Sequence, residues 1–217
     1  MRFETESGPV QAELARVIVA GWTGRNRAAV DHHIEELAAL GVAPPSGVPL
    51  YYRAAPDVLT QGETITVLGE NTSGEAEPFV LHAGGQLWLG LASDHTDRAL
   101  EAHSVAASKQ ICAKPVAGAL WAFDEVAAHL DQLHLSCEVF EAGAWVMYQN
   151  GTLADILPLP DLIAGAALSE GDAMLGGTLP AMGGVRPAAG YRMRLADPVR
   201  DRELRLDYGV KTLPIVA

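Results

Sequence analysis

Gly74-Glu75-Ala76-Glu77-Pro78-Phe79-Val80-Leu81, the pair Gly84-Gly85, Gln86-Leu87-Trp88-Leu89-Gly90-Leu91 and then Ser93-Asp94-His95-Thr96-Asp97-Arg98 form the stretch from which the fold is read. Two apolar runs divided by a glycine pair read as strands joined by a tight turn. Side chains alternate along a strand, so Glu75 and Glu77 face the same way. Adjacent carboxylates disfavour each other's ionisation; a cation between them removes that penalty, whereas solvent only dilutes it. Alone, the E-x-E spacing also fits a solvated face. Asp94, where the second run opens into polar residues, brings a third oxygen ligand or serves as a turn or cap residue. An all-oxygen set with open positions suits Mg²⁺, Mn²⁺ or Ca²⁺. His95 has no second histidine at a zinc spacing, and Asp97 and Arg98 read as a structural pair.

Upstream, Leu14 to Ala20 reads as a strand ending at Gly21. A helical pattern follows, with Val30, Ile34 and Leu37 on one face, Asn26 or Thr23 as N-cap and Gly41 as the stop before Pro44-Pro45. Val48 to Arg53 is an extended, proline-bounded segment. Downstream, strands alternate with turns: Ile65 and Val67, a hairpin of Leu133–Phe140 and Ala144–Tyr148 around Glu141-Ala142-Gly143, Ala173–Leu175, and Tyr191–Leu195. Asp124–Leu130 and Leu159–Leu168 are the short helices expected there. The organisation is α+β and β-rich. Residues 1–56 form a strand and helix region, and residues 57–217 a β-rich body continuous with it.

Composition bounds the function. The 217 residues are 49% hydrophobic, enough for a substantial core, which excludes disorder of the whole chain. Fifteen Lys+Arg against 27 Asp+Glu leave a formal charge of -12, a surface that repels nucleic acid. The same field repels an anionic small molecule unless a metal or a local cation inverts it. Two cysteines, Cys112 and Cys137, make neither a disulfide scaffold nor a Cys-ligated zinc site. With no apolar run of membrane-spanning length and no leader-like N-terminus, a cytoplasmic protein is expected, without a membrane partner.

Three further groups are candidates for chemistry. In His32-His33-Ile34-Glu35-Glu36, His33 and Glu36 share a helix face, as do His32 and Glu35. A carboxylate orients an imidazole and raises its basicity, the makings of a water-activating pair; helix-surface His-Glu pairs are also common. Leu175 to Gly184 is glycine-rich with Thr178 as a donor, allowing close backbone approach to a ligand or a tight turn. It lacks the phosphate-loop spacing. Arg53 is either a bidentate carboxylate clamp or a surface ion-pair residue.

Taken in order, these pieces resemble the fumarylacetoacetate hydrolase superfamily. The resemblance is carried by His33-Ile-Glu-Glu36, Pro45 to Arg53, Glu75-Ala-Glu77, Asp94 to Arg98, Ser108 to Pro115, Gln149-Asn-Gly-Thr152 and Gly171 to Thr178. It covers about Gly21 to Leu206. It implies a β-rich α+β fold with mixed sheets rolled around a metal site, a homodimer, and Mg²⁺ or Mn²⁺ (Ca²⁺ as a further candidate) on Glu75, Glu77 and Asp94. His33 and Glu36 would be the base pair, with His32 and Glu35 competing. Lys109 would be catalytic, with Lys114 competing, and Arg53, Gln149, Gly177 and Thr178 would contact substrate.

The implied reaction is hydrolysis of a C–C bond in an acylpyruvate-like β-diketo or 2-oxo acid through a metal-held enolate. Decarboxylation, hydration or isomerisation of a 2-oxo acid on the same platform is the alternative, and a non-catalytic binding module the further one. Departures from the family pattern resemble those of a divergent bacterial branch. Arg27 stands where a tyrosine usually follows the asparagine, so the histidine arrives one helical turn late. Tyr52-Arg53 replaces phenylalanine-lysine, and Lys109-Gln-Ile-Cys-Ala113 lacks the usual aspartate.

Overall fold

In the computed structural model, which describes residues 1–39 and 44–216 but not the side chains of His33, Glu36, Leu37 and Ala39, the Gly84-Gly85 pair closes the hairpin expected from the sequence. Both glycines have positive φ, 66° and 77°, the left-handed geometry of a two-residue hairpin turn.

The strands of the two main sheets are β1 (Arg16–Gly21), β2 (Leu50–Ala54), β3 (Thr64–Leu68), β4 (Ala76–Ala83), β5 (Gln86–Ser93), β6 (Trp121–Ala122), β7 (His134–Glu141), β8 (Ala144–Thr152), β9 (Asp172–Leu175), β10 (Gly190–Asp197) and β11 (Arg202–Leu213). The first sheet has the order β6-β5-β4-β9-β1-β2, antiparallel except for β9 beside β1. The second has the order β8-β7-β10-β11-β3, antiparallel except for β11 beside β3. Helices α1 (Arg27–Ala39), α2 (Val105–Ile111) and α3 (Leu159–Ala166) flank them.

Burial explains the two kinds of strand pattern. Ile18, Val80, Leu89, Leu91 and Met174 of the first sheet share one core with Leu135, Cys137, Val139, Met193, Leu195 and Leu206 of the second. The opposite face of the first sheet, carrying Val17, Val19, Phe79, Leu81 and Ala92, is covered by Phe3, Leu59, Val116 and Leu120. A sheet buried on both faces needs apolar residues at consecutive positions, hence the unbroken runs of β1, β4 and β5. The second sheet is buried on one face, and β7 alternates accordingly.

Several boundaries moved. The first strand runs from Arg16 to Gly21, not Leu14 to Ala20, and lies between β9 and β2, so the N-terminal region is woven into the sheet. The helix expected over Asp124–Leu130 is a short α-turn, Phe123–Val126, followed by a 3₁₀ segment, Ala127–Gln132. Strand β11 was not expected, although Leu204, Leu206 and Tyr208 are buried in strict alternation with exposed Arg205 and Asp207. Asn26 caps α1 through Oδ1, accepting from Ala29 N at 3.2 Å. The expected stop at Gly41 lies outside the described residues. Both cysteines are buried free thiols. Among the described residues no helix is long and apolar enough to cross a membrane.

Candidate metal and carboxylate centre

Strand alternation decides which residues meet. In the β4–β5 ladder Glu77 lies opposite Ala92, and Ala92 faces the outer core of the first sheet. One step beyond, Asp94 N donates to Glu75 O at 3.0 Å, which sets Asp94 opposite Glu75 on that same face. All three carboxylates therefore share one face at one end of the hairpin, as the E-x-E spacing and the strand end implied. Glu75 itself precedes β4, which starts at Ala76.

Each carboxylate is held differently. Glu77, 3% exposed, accepts from Gly177 N at 2.8 Å through Oε2, and no donor among the described residues reaches its Oε1. Burial pushes its pKa well up, and Asp94 adds to the rise while Lys109 opposes it. Asp94, 1% exposed, is gripped by Lys109 at Oδ2 and by Lys114 at Oδ1, 2.8 Å away, with the Thr96 hydroxyl donating to Oδ1 at 3.2 Å. Burial alone would raise its pKa, but the two ammonium groups outweigh burial and hold it far below the carboxylate range. Glu75 accepts from Arg98 at 2.8 Å. Arg98 also binds Glu101 at 2.8 Å, while Asp97 caps the following helical turn through Leu100 N. The expected Asp97–Arg98 pair is thus two separate contacts.

The lysines share one acceptor and differ in setting. Lys114, wholly buried, also donates to His95 O. Burial lowers its pKa despite Asp94. Lys109 comes from α2 and lies 5.8 Å from the centre of the Tyr52 ring; Asp94 lifts its pKa against the effect of burial. His95 faces the inter-sheet core, with Nδ1 3.0 Å from Tyr208 Oη and Nε2 2.9 Å from Thr72 Oγ1. Burial lowers its pKa to about 3, so it is a neutral structural imidazole.

Other expected site residues fall around this centre. Gln149, fully buried, accepts from Ala76 N at 2.8 Å and donates to Thr178 Oγ1 and Leu179 O, both at 2.7 Å. Thr178 donates to Ala76 O at 2.7 Å. Gln149 from β8, with Gly177 and Thr178 from the loop after β9, thus clamps the Glu75–Glu77 segment. Arg53 is exposed and, among the described residues, its side chain donates only to Tyr51 O, at 3.5 Å. Alternation on β2 turns Arg53 with Tyr51 toward the inter-sheet side and puts Tyr52 on the face of the carboxylates. The aromatic neighbour of the site was therefore next to the residue singled out. Trp22 Nε1 donates to Tyr52 Oη at 3.3 Å, extending this wall. His33 and Glu36 lie outside the described side chains; His32 and Glu35 are exposed on α1.

Among the described residues no three His, Cys, Asp or Glu side chains converge as a ready metal cage. The donor chemistry nevertheless fits a hard divalent cation. Three carboxylates share a face, Glu77 Oε1 has no donor among the described residues, and the ionisation of Glu77 is opposed by Asp94 and Glu75. Glu75 turns to Arg98 and Asp94 to its two lysines.

No curated protein sequence matches the chain. Solved structures do. A fumarylacetoacetate isomerase/hydrolase, so assigned provisionally, from Oleispira antarctica is 18% identical with a TM-score of 0.68, covering 97% of this chain and 100% of its own. A provisionally assigned fumarylpyruvate hydrolase from Burkholderia cenocepacia is 20% identical with a TM-score of 0.66, covering 98% and 95%. A 2-keto-3-deoxy-D-arabinonate dehydratase complexed with magnesium and 2,5-dioxopentanoate is 17% identical with a TM-score of 0.66, covering 92% and 74%. At these identities the likeness establishes the fold, the β-rich α+β fold of fumarylacetoacetate hydrolases. The chain belongs to the family described as protein of unknown function (DUF2848), whose model matches residues 20–208.

Proposed function

We propose that the protein is a divalent-metal-dependent hydrolase that cleaves the C–C bond of a small acylpyruvate-like 2-oxo acid. The observation that carries this reading is the placement of Glu75, Glu77 and Asp94 on one sheet face beside Lys109. Glu75, Glu77 and Asp94 are the residues that would hold Mg²⁺ or Mn²⁺. Bound there, the cation would act as a Lewis acid toward the carbonyl and carboxylate of a 2-oxo acid. The magnesium and dioxo acid in the dehydratase of the same fold support both the metal and the substrate class.

The chain's own groups supply the rest. Lys109 places a positive charge where the 2-oxo fragment gains negative charge as its C–C bond breaks. Tyr52 and Trp22 wall that side, and Gln149 and Thr178 keep the Glu75–Glu77 backbone in position. We assign the base to His33 oriented by Glu36 on α1, with His32 and Glu35 competing. It takes a proton from water, the hydroxide adds to the distal acyl carbonyl, and the departing carbon takes a proton. The products are a carboxylic acid and pyruvate.

A dehydratase or decarboxylase reading of the same centre is favoured by the dehydratase neighbour and needs no attacking water. A panel of acylpyruvates and 2-oxo diacids with Mg²⁺ or Mn²⁺, followed by pyruvate and CO₂ release, tests hydrolysis and decarboxylation, and a 3-deoxy-2-oxo acid, followed by mass spectrometry for loss of water, tests dehydration. Pyruvate release that vanishes in Glu77→Gln and falls at least 100-fold in His33→Ala is expected for the hydrolase. Turnover untouched by His33→Ala removes that base, and no turnover across the panel removes the reading.

A further inference from the structure

The metal-dependent reading leaves a charge problem at Asp94. Glu75, Glu77, Asp94 and the Glu101 that shares Arg98 set four carboxylates against the three cations Arg98, Lys109 and Lys114. With all four ionised, the chain's own groups leave one net negative charge at the centre. A divalent cation added to this set turns it into one net positive charge in a water-poor site, where unmatched charge is costly.

The two lysines on Asp94 differ in their freedom to yield. Lys114 has no exposed surface and is tied twice, to Asp94 Oδ1 and to His95 O. The carbonyl it binds belongs to a residue fixed on both ring nitrogens, by Tyr208 and Thr72. Lys109 reaches in from α2, whose first residues are exposed or half-buried, and among the described residues its ammonium has one hydrogen-bond acceptor, Asp94 Oδ2. A second resting place lies beside it, the π face of Tyr52 at 5.8 Å.

We infer that Lys109 is an exchangeable counter-ion: it occupies Asp94 Oδ2 in the metal-free protein, yields that oxygen to an incoming divalent cation, and turns to the anion that enters with the metal. This rests on the metal-dependent reading and adds an order to it. Metal alone leaves the centre with a net positive charge, whereas metal with a dianionic ligand restores the starting charge. Each therefore strengthens the binding of the other, by reciprocity.

The test uses Mn²⁺ alone, with free Mn²⁺ counted by electron paramagnetic resonance, and brief acetic anhydride labelling of the wild-type protein read by mass spectrometry. Lys109→Met is expected to bind Mn²⁺ at least tenfold more tightly than wild type. In wild type, saturating Mn²⁺ is expected to raise acetylation of Lys109 at least threefold and leave Lys114 protected. Tighter binding in Lys109→Met with unchanged labelling of wild-type Lys109 is a plain charge effect and overturns the exchange. Equal Mn²⁺ affinities with unchanged labelling overturn it as well, while the metal reading stands. If neither protein binds Mn²⁺, the metal reading falls and the exchange falls with it.

Discussion

Gly177 decides where Glu77 points. Its N–H is the one donor to Glu77 among the described residues, and its φ of +92° suits glycine alone. A Cβ there would lie 1.7 Å from Thr23 Oγ1, on the segment that leads into α1. Gly177→Ala is therefore expected to cost about 3 kcal/mol in denaturant unfolding, from backbone strain and overpacking together. It is also expected to weaken Mn²⁺ binding, because the turn must move and Glu77 moves with it. Unchanged stability would show that the loop relaxes freely. At this scale the carboxylates were legible because alternation and a strand end follow from chain order alone. Their cationic partners were not, since Arg98 and Lys114 meet Glu75 and Asp94 only once the hairpin and α2 are packed. Arg53 lies one residue off the carboxylate face: the face that β2 turns to the site is set by its pairing with β1, Tyr52 opposite Val19.

Between elements, Gln149 is the tie that joins β8 of one sheet to β4 of the other. Its amide satisfies Ala76 N, Thr178 Oγ1 and Leu179 O in a site without water access. Gln149→Leu keeps the volume but leaves a buried N–H and a carbonyl without partners, at about 1–3 kcal/mol each. A fall of several degrees in Tm is expected, with loss of pyruvate release. If activity survives at full level, the clamp on Glu75–Glu77 is not needed for the site. The helices and most strands could be read from periodicity and glycine punctuation. Strand β11 went unread although Leu204, Leu206 and Tyr208 alternate with charged residues. Such alternation beside Arg and Glu also fits a solvated surface, and only pairing with β10 and β3 makes it a strand. The sequence likewise carries no mark that β1 runs parallel to β9, 156 residues away at the Arg16–Asp172 contact.

Across the whole molecule the formal charge of -12 is unevenly placed. Much of the negative charge is on the surface, but three carboxylates are matched at the candidate centre, and Asp172 is matched inside the first sheet. Asp172 accepts from Arg16 Nε at 2.9 Å and from Ser169 N and Oγ at 2.8 Å, pinning the start of β9 to the start of β1. Chiefly through Arg16, its pKa is lowered from 3.8 to about 2. A carboxylate depressed by folding stabilises above its unfolded pKa, because the unfolded chain takes up the proton first. The contribution is therefore complete above about pH 4 and is lost as pH falls toward 2. A tenfold change in proton affinity corresponds to about 1.4 kcal/mol, and solvent screens part of the interaction, so the loss attributable to Asp172 is about 1–2 kcal/mol. Unfolding of wild type and Asp172→Asn by urea at several pH values isolates it from the other carboxylates. The stability gap is expected to be constant from pH 7 to about 4.5 and to close by about 1–2 kcal/mol on approaching pH 2. A gap that stays constant down to pH 2 would mean that Asp172 titrates alike in both states, and that the β9–β1 junction is held by its ladder alone.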